Sequence, residues 1–167
     1  EGSDILIDDP NNASGLERLT INADGLVSTL VPLDYKVTNV IRQVEFADPA
    51  IERIVRELLG VTDSMQIFTN DLWNIESLVI PMDATTLADL SLFPNLKQLA
   101  IQYGKFPSLT TLADLVSLEE LVISNTNLSS EDIEAISTMS KLTALTLSSC
   151  GISSVQPLSS LTKLTYL

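Results

Sequence analysis

The chain contains no histidine and a single cysteine, Cys150. Without histidine no His–Ser or Cys–His pair can act in nucleophilic catalysis, and a zinc site with the usual ligands cannot be built. One cysteine also excludes an intrachain disulfide. Aromatic residues make up only 5% of the chain, and nine basic residues face 22 acidic ones, for a net charge of −13. A chain of this balance repels phosphate backbones and anionic membrane surfaces, so nucleic acid is not an expected partner. Nor is membrane insertion, because no run of about 18 or more apolar residues occurs. The acidic excess is shared almost evenly between the first 60 residues and the rest and reads as solubility before recognition of a basic ligand. There is no charged-then-apolar leader, and the first residues, Glu1-Gly2, lack a methionine, which fits a processed form or a piece of a longer protein.

What the chain has is leucine in a fixed rhythm. Hydrophobic residues make up 45% and charged residues 19%, the balance of an ordered domain. One phrase recurs: Ile75-Glu-Ser-Leu78-Val-Ile80, Leu96-Lys-Gln-Leu99-Ala-Ile101, Leu118-Glu-Glu-Leu121-Val-Ile123, Leu142-Thr-Ala-Leu145-Thr-Leu147 and a shortened Leu164-Thr-Lys-Leu167. Successive starts lie 21, 22, 24 and 22 residues apart. Each phrase is followed by an apolar triplet spaced by threes: Leu87/Leu90/Phe93, Leu109/Leu112/Leu115, Ile133/Ile136/Met139 and Val155/Leu158/Leu161. A strand phrase with a return leg of one helical or 3₁₀ turn, at this period, predicts an α/β solenoid of leucine-rich repeats, four full and one partial, over residues 75–167. One repeat cannot bury its own apolar face, so stability comes from stacking on neighbours. An array stopping at Leu167 leaves an unpaired edge, so it is expected to continue.

Residues 1–43 read as a polar lead-in and a small β unit. Leu16, Leu19 and Ile21 suggest a short strand before a turn at Asp24-Gly25, and residues 35 to 46, with Val37, Val40, Ile41 and Val44, a further extended segment. Residues around Asn22 and Asp24 resemble a calcium loop only faintly, since Thr20 and Val31 stand where ligands are needed. Residues 44–74 form the expected helical N-terminal cap. Asp48 serves as N-cap, Pro49 as the first helical residue, Ile51, Ile54, Val55, Leu58 and Leu59 as the inward stripe, and Gly60 as the stop. Thr69 is the expected cap of a shorter turn through Leu72, and Trp73 is placed beneath the helix.

The run from Val44-Glu-Phe46-Ala-Asp48-Pro49 to Leu58-Leu59-Gly60, then Thr69-Asn-Asp71-Leu72 and the repeats, resembles the cap and array of bacterial surface proteins of the internalin type. The last repeat, Gly151-Ile-Ser-Ser-Val155-Gln-Pro157-Leu158, is especially similar. The resemblance implies a secreted or cell-surface bacterial protein whose curved sheet binds other proteins. Position 9 of the repeats departs from the family's asparagine, holding Asp83, Gly104, Thr126 and Cys150, so the interior hydrogen-bond ladder is expected to be irregular, with Cys150 a buried structural thiol. No cell-wall sorting signal occurs in this chain.

Function is expected on the concave face, where alternate strand residues point outward. The candidate protein-binding residues are Val79, Gln98, Ala100, Gln102, Tyr103, Glu120, Val122, Thr146 and Tyr166. No metal or cofactor is expected. Catalysis would need two carboxylates. Glu119 and Glu120, adjacent on a strand, are expected on opposite faces, Asp89 and Asp114 sit in Thr-Leu-Ala-Asp-Leu copies out of step with the repeat, and the acids of 129–134 read as a solvated helical turn. The chain is therefore expected to be a non-enzymatic protein-binding module. The alternatives are a spacer or cap presenting other domains, or an intracellular repeat-type regulator of another enzyme.

Overall fold

A computed structural model of the chain describes the strands Ser3–Asp8, Leu16–Ile21 and Val27–Ser28 together with residues 41–166. The chain divides into two compact units, residues 1–40 and 41–167. In the first, β1 (Ser3–Asp8), β2 (Leu16–Ile21) and β3 (Val27–Ser28) form an antiparallel sheet in that order, with Ser3 opposite Ile21 and Asp8 opposite Leu16. β2 is the expected strand. β1 corrects the polar lead-in, because the Ile5-Leu6-Ile7 run has strand propensity and β2 offers its backbone a partner. The polar residues 9–14, the turn at Asp24-Gly25, residues 35–40 and Leu167 lie outside the described residues.

The second unit begins with one antiparallel bridge, Gln43 to Phe68, flanked by Val44 N–H to Ile67 O at 2.8 Å and Thr69 N–H to Arg42 O at 2.9 Å. The extended segment expected through Phe46 is reduced to this bridge among its described residues, since a helix starts directly after it. That helix, α1 (Pro49–Leu59), is where the sequence puts it. Asp48 Oδ1 accepts from the Ala50 and Ile51 amides, and Gly60, at φ 66°, lets its N–H close back on the Arg56 and Glu57 carbonyls. Ile51 and Val55 are fully buried and Ile54 and Leu59 pack partly on the core, but Leu58 faces solvent, so the inward stripe is narrower than its spacing implies. Arg56 pairs with Glu52 and donates to the Thr62 and Met65 carbonyls, which holds the loop after the helix. In the 3₁₀ turn Thr69–Leu72, Phe68 occupies the cap position and gives its N–H to Asp71 Oδ2. Thr69 does not cap it; the Thr69 hydroxyl accepts from Arg42 N–H instead. Leu72 supplies the buried residue of this turn, and Trp73 is half-buried.

The repeats then stack as a parallel sheet, β4 (Ser77–Ile80), β5 (Gln98–Gln102), β6 (Glu120–Ser124) and β7 (Ala144–Ser148), in chain order. The partial fifth phrase adds one bridge, Ala144 to Tyr166. Leu78, Ile80, Leu99, Ile101, Leu121, Ile123 and Leu145 are buried behind this sheet, as a period of two requires. Three return legs are 3₁₀ turns, Ala88–Leu92, Thr110–Asp114 and Gln156–Ser160. The third repeat is two residues longer, and its leg is an α-helix, α2 (Ser130–Ser137), capped by Ser129 and Asp132. In all four legs an amide bonds three residues back, as in Phe93 to Leu90, Leu115 to Leu112, Met139 to Ile136 and Leu161 to Leu158. That bond spacing is why the triplets recur by threes. Their residues are buried except Val155, which lies exposed in the last described leg.

Three buried carboxylates tie neighbouring layers together. Asp48 Oδ2 accepts from Thr85 N–H at 2.6 Å, the Thr85 hydroxyl at 2.9 Å and Thr86 N–H at 3.0 Å. In return Asp89 accepts from the Ala47 and Asp48 amides at 2.7 and 2.8 Å. Helix and first return leg are thus clasped in both directions. Asp132 ties the third return leg to the second, accepting from Leu109 N–H at 2.6 Å and from Ser129 at its own cap. Burial pushes the Asp48 and Asp132 carboxyls up, but these hydrogen bonds outweigh it and leave both below their ordinary value.

Candidate functional site

The outer face of the parallel sheet is built in rows, because register brings equivalent positions of each repeat side by side. Ser77, Gln98, Glu120 and Ala144 align at the strand starts, with Tyr166 opposite Ala144. Val79, Ala100, Val122 and Thr146 align at the centre, and Gln102, Ser124 and Ser148 beyond them. All nine expected residues therefore belong to one sheet or its immediate margin. Val79 is 58% exposed, Tyr103 52% and Tyr166 65%, while Ala100, Glu120, Val122 and Thr146 are half-covered by their neighbours. Met82, just past β4, is the most exposed of the apolar residues beside them, at 70%. Glu120 is the one charged residue in these three rows, and it accepts from Gln98 Nε2 at 3.1 Å.

Tyr103, Asn125 and Ser149 follow their strands in the left-handed region, at φ 58°, 52° and 54°. This conformation turns the chain out of the strand, with Tyr103 N–H donating to Ser124 O and Asn125 N–H to Ser148 O. Asparagine tolerates it, whereas tyrosine is held there at a cost. The sequence gives no sign of this beyond the equivalence of the three positions.

Behind these residues the interior ladder is irregular, as expected from position 9. The Thr126 hydroxyl accepts from Gly104 N–H at 3.0 Å and donates to Ser124 O at 3.1 Å, linking two repeats. The Cys150 thiol lies 3.3 Å from the carbonyls of Ile123 and Ser148 and is buried. Gly104 has no room for a side chain, since a Cβ would meet the Phe106 ring at 2.5 Å. Asp83 leaves the ladder altogether and makes a two-pronged pair with Arg53 of α1 at the surface. That pair holds the Asp83 carboxyl below its usual range, through the Arg53 hydrogen bonds first.

At the strand starts Glu76, Ser77, Lys97, Gln98, Glu119, Glu120, Thr143 and Ala144 line a shallow groove of about 350 Å³. β6 begins at Glu120, so Glu119 lies before the strand, and strand alternation does not separate the two carboxylates. Both line the same groove, which corrects their expected placement on opposite faces. Lys97 Nζ bonds Glu76 Oε1 at 2.8 Å, and this bond, then the charges of Glu76 and Glu119, raises the lysine's pKa. Asp89 and Asp114, identical in local sequence, part company: Asp89 is buried in the cap clasp and Asp114 is exposed. Of the acids of 129–134, Asp132 is buried in its cap network and Glu131 and Glu134 face solvent. Among the described residues no group of three His, Cys, Asp or Glu is placed to hold a metal, and no helix is long and apolar enough to cross a membrane.

No protein-family model matches the chain, and no curated protein matches it. Among solved structures the chain is similar to an internalin (inlF) from Listeria monocytogenes, with 25% sequence identity and a TM-score of 0.62. The match covers 71% of this chain and 35% of that one, so the chain spans about a third of that protein's length. The likeness, with the four-stranded parallel sheet and its short helical return legs, supports an internalin-like leucine-rich-repeat fold.

Proposed function

We propose that this chain is a non-enzymatic protein-binding module of a secreted or cell-surface bacterial protein, and that a protein or peptide ligand sits on the concave face of its repeats. The contact residues are Val79, Gln98, Ala100, Gln102, Tyr103, Glu120, Val122, Thr146 and Tyr166, and residues 44–74 serve as the cap of the array. The observation that carries this reading is the exposed apolar run Val79, Met82 and Tyr103 on adjacent repeats, in a face that holds one charged residue. Exposed apolar surface with an aromatic anchor and little charge is what protein interfaces use at their centre. Four strands and the bridging fifth segment, about 4.8 Å apart and each about five residues long, present on the order of 400 Å², half of the roughly 800 Å² a standard interface takes per partner. The ligand is therefore a peptide, or a protein that also touches the cap, the flanks of the sheet or further repeats.

Retention of partners on the immobilised protein tests this, with host-cell surface proteins and the organism's own envelope as separate pools. Tyr103→Asn removes the ring while suiting the left-handed backbone, so it leaves the fold intact, and Val122→Asp places a charge in the central row. A partner held by the wild type and released by both folded variants supports the face as the site. Partners indifferent to both variants, or none in either pool, would leave a spacer as the better account.

A further inference from the structure

The charges around the outer face are not balanced, and the imbalance is local. Three of the second unit's seven cations are committed, Arg53 to Asp83, Arg56 to Glu52 and Lys97 to Glu76. The groove at the strand starts carries three carboxylates, Glu76, Glu119 and Glu120, against Lys97 alone, a formal charge of −2. Glu119 is exposed and has no ion-pair partner among the described residues, and Glu120 accepts only a neutral amide. The apolar patch begins beside this groove, for Val79 lies two residues along β4 from Ser77, and it extends to Tyr103, which follows the far end of β5.

We propose that the ligand of this face is a cationic, apolar segment: one lysine or arginine seated between Glu119 and Glu120, and one large apolar side chain laid over Val79 and Tyr103. This rests on the concave-face reading and adds the partner's chemistry to it. From groove to patch is two to five residues along a strand, roughly 7 to 16 Å, so in an extended ligand the two groups stand about two to five residues apart. An acidic ligand is excluded by repulsion, and a purely apolar one leaves the two carboxylates without a counter-charge.

The test pans a random dodecapeptide phage library on the immobilised 167-residue protein and measures the enriched peptides by fluorescence anisotropy. Enriched sequences combine Lys or Arg with Leu, Ile, Phe or Trp at that spacing. Tyr103→Asn abolishes their binding, and E119Q/E120Q weakens it roughly three- to tenfold, as does raising the salt. E131Q/E134Q on α2 makes the same charge change away from the face and alters affinity less than twofold. If binding falls with Tyr103→Asn but is unmoved by E119Q/E120Q, or falls equally with E131Q/E134Q, the cationic partner is wrong and the concave-face reading stands. If no peptide sensitive to Tyr103→Asn is enriched, both are wrong.

Discussion

Replacing Asp48 by alanine removes one side chain and unties two layers. Oδ1 is the cap of α1, and losing such a cap costs about 1 kcal/mol. Oδ2 gathers three donors from the first return leg at 2.6 to 3.0 Å. Thr85 is exposed, so its donors find water when the carboxylate goes, whereas the half-buried Thr86 amide is less well served. After that discount the three charge-assisted bonds together contribute about 2 kcal/mol, so with the cap the whole loss is about 3 kcal/mol, a large part of a domain's stability. The chain's single tryptophan, Trp73, lies between helix and first repeat, and its fluorescence reports urea unfolding of this unit. The sign of the pH dependence follows from the depressed carboxyl. Its stabilisation is complete above the unfolded pKa of about 4 and is lost as pH falls through that value toward the folded one. The gap between wild type and Asp48→Ala is therefore about 3 kcal/mol at pH 7 and shrinks by pH 3. A loss under about 1 kcal/mol at pH 7, or a gap that acid leaves unchanged, would refute the clasp.

Leu121→Ala, at a fully buried strand position, costs about 3 kcal/mol in the same titration, while Val116→Ala at an exposed one costs under about 0.5 kcal/mol. Thr126→Val strands the Gly104 amide and removes one of the two bonds to the Ser124 carbonyl, which keeps Tyr103 N–H, and its melting temperature falls by an amount matching about 2 kcal/mol; an unchanged melt means the ladder bond is not needed. Tyr103→Asn relieves left-handed strain and raises stability by up to about 1 kcal/mol, read from denaturant midpoints; a destabilised variant would mean that the ring packs on the fold rather than waiting for a ligand.

The parallel strands were legible because Leu78, Ile80 and their equivalents repeat at a period that only stacked strands satisfy. α1 was legible because Asp48, Pro49 and Gly60 mark its ends locally. Leu58 shows where that reading stops, since spacing tells which side chains share a helix face but not how wide a surface meets it. Among the candidate site residues, Val79 and Tyr166 could be placed from alternation alone, whereas the exposure of Tyr103 comes from the left-handed turn after β5. The shared groove of Glu119 and Glu120 could not, because it depends on where β6 begins.

The pentapeptide Thr-Leu-Ala-Asp-Leu marks the boundary between the two kinds of information. In both copies its leucines, Leu87 and Leu90 or Leu112 and Leu115, turn inward, and that was determined by the chain alone through the threefold spacing of the return leg. Its aspartates have opposite fates, Asp89 buried under the amides of Ala47 and Asp48 and Asp114 in solvent. Local sequence fixes periodicity, because backbone geometry repeats every few residues. Which polar group is buried was decided by a partner more than forty residues away, since a carboxylate leaves water only where donors from another layer replace it.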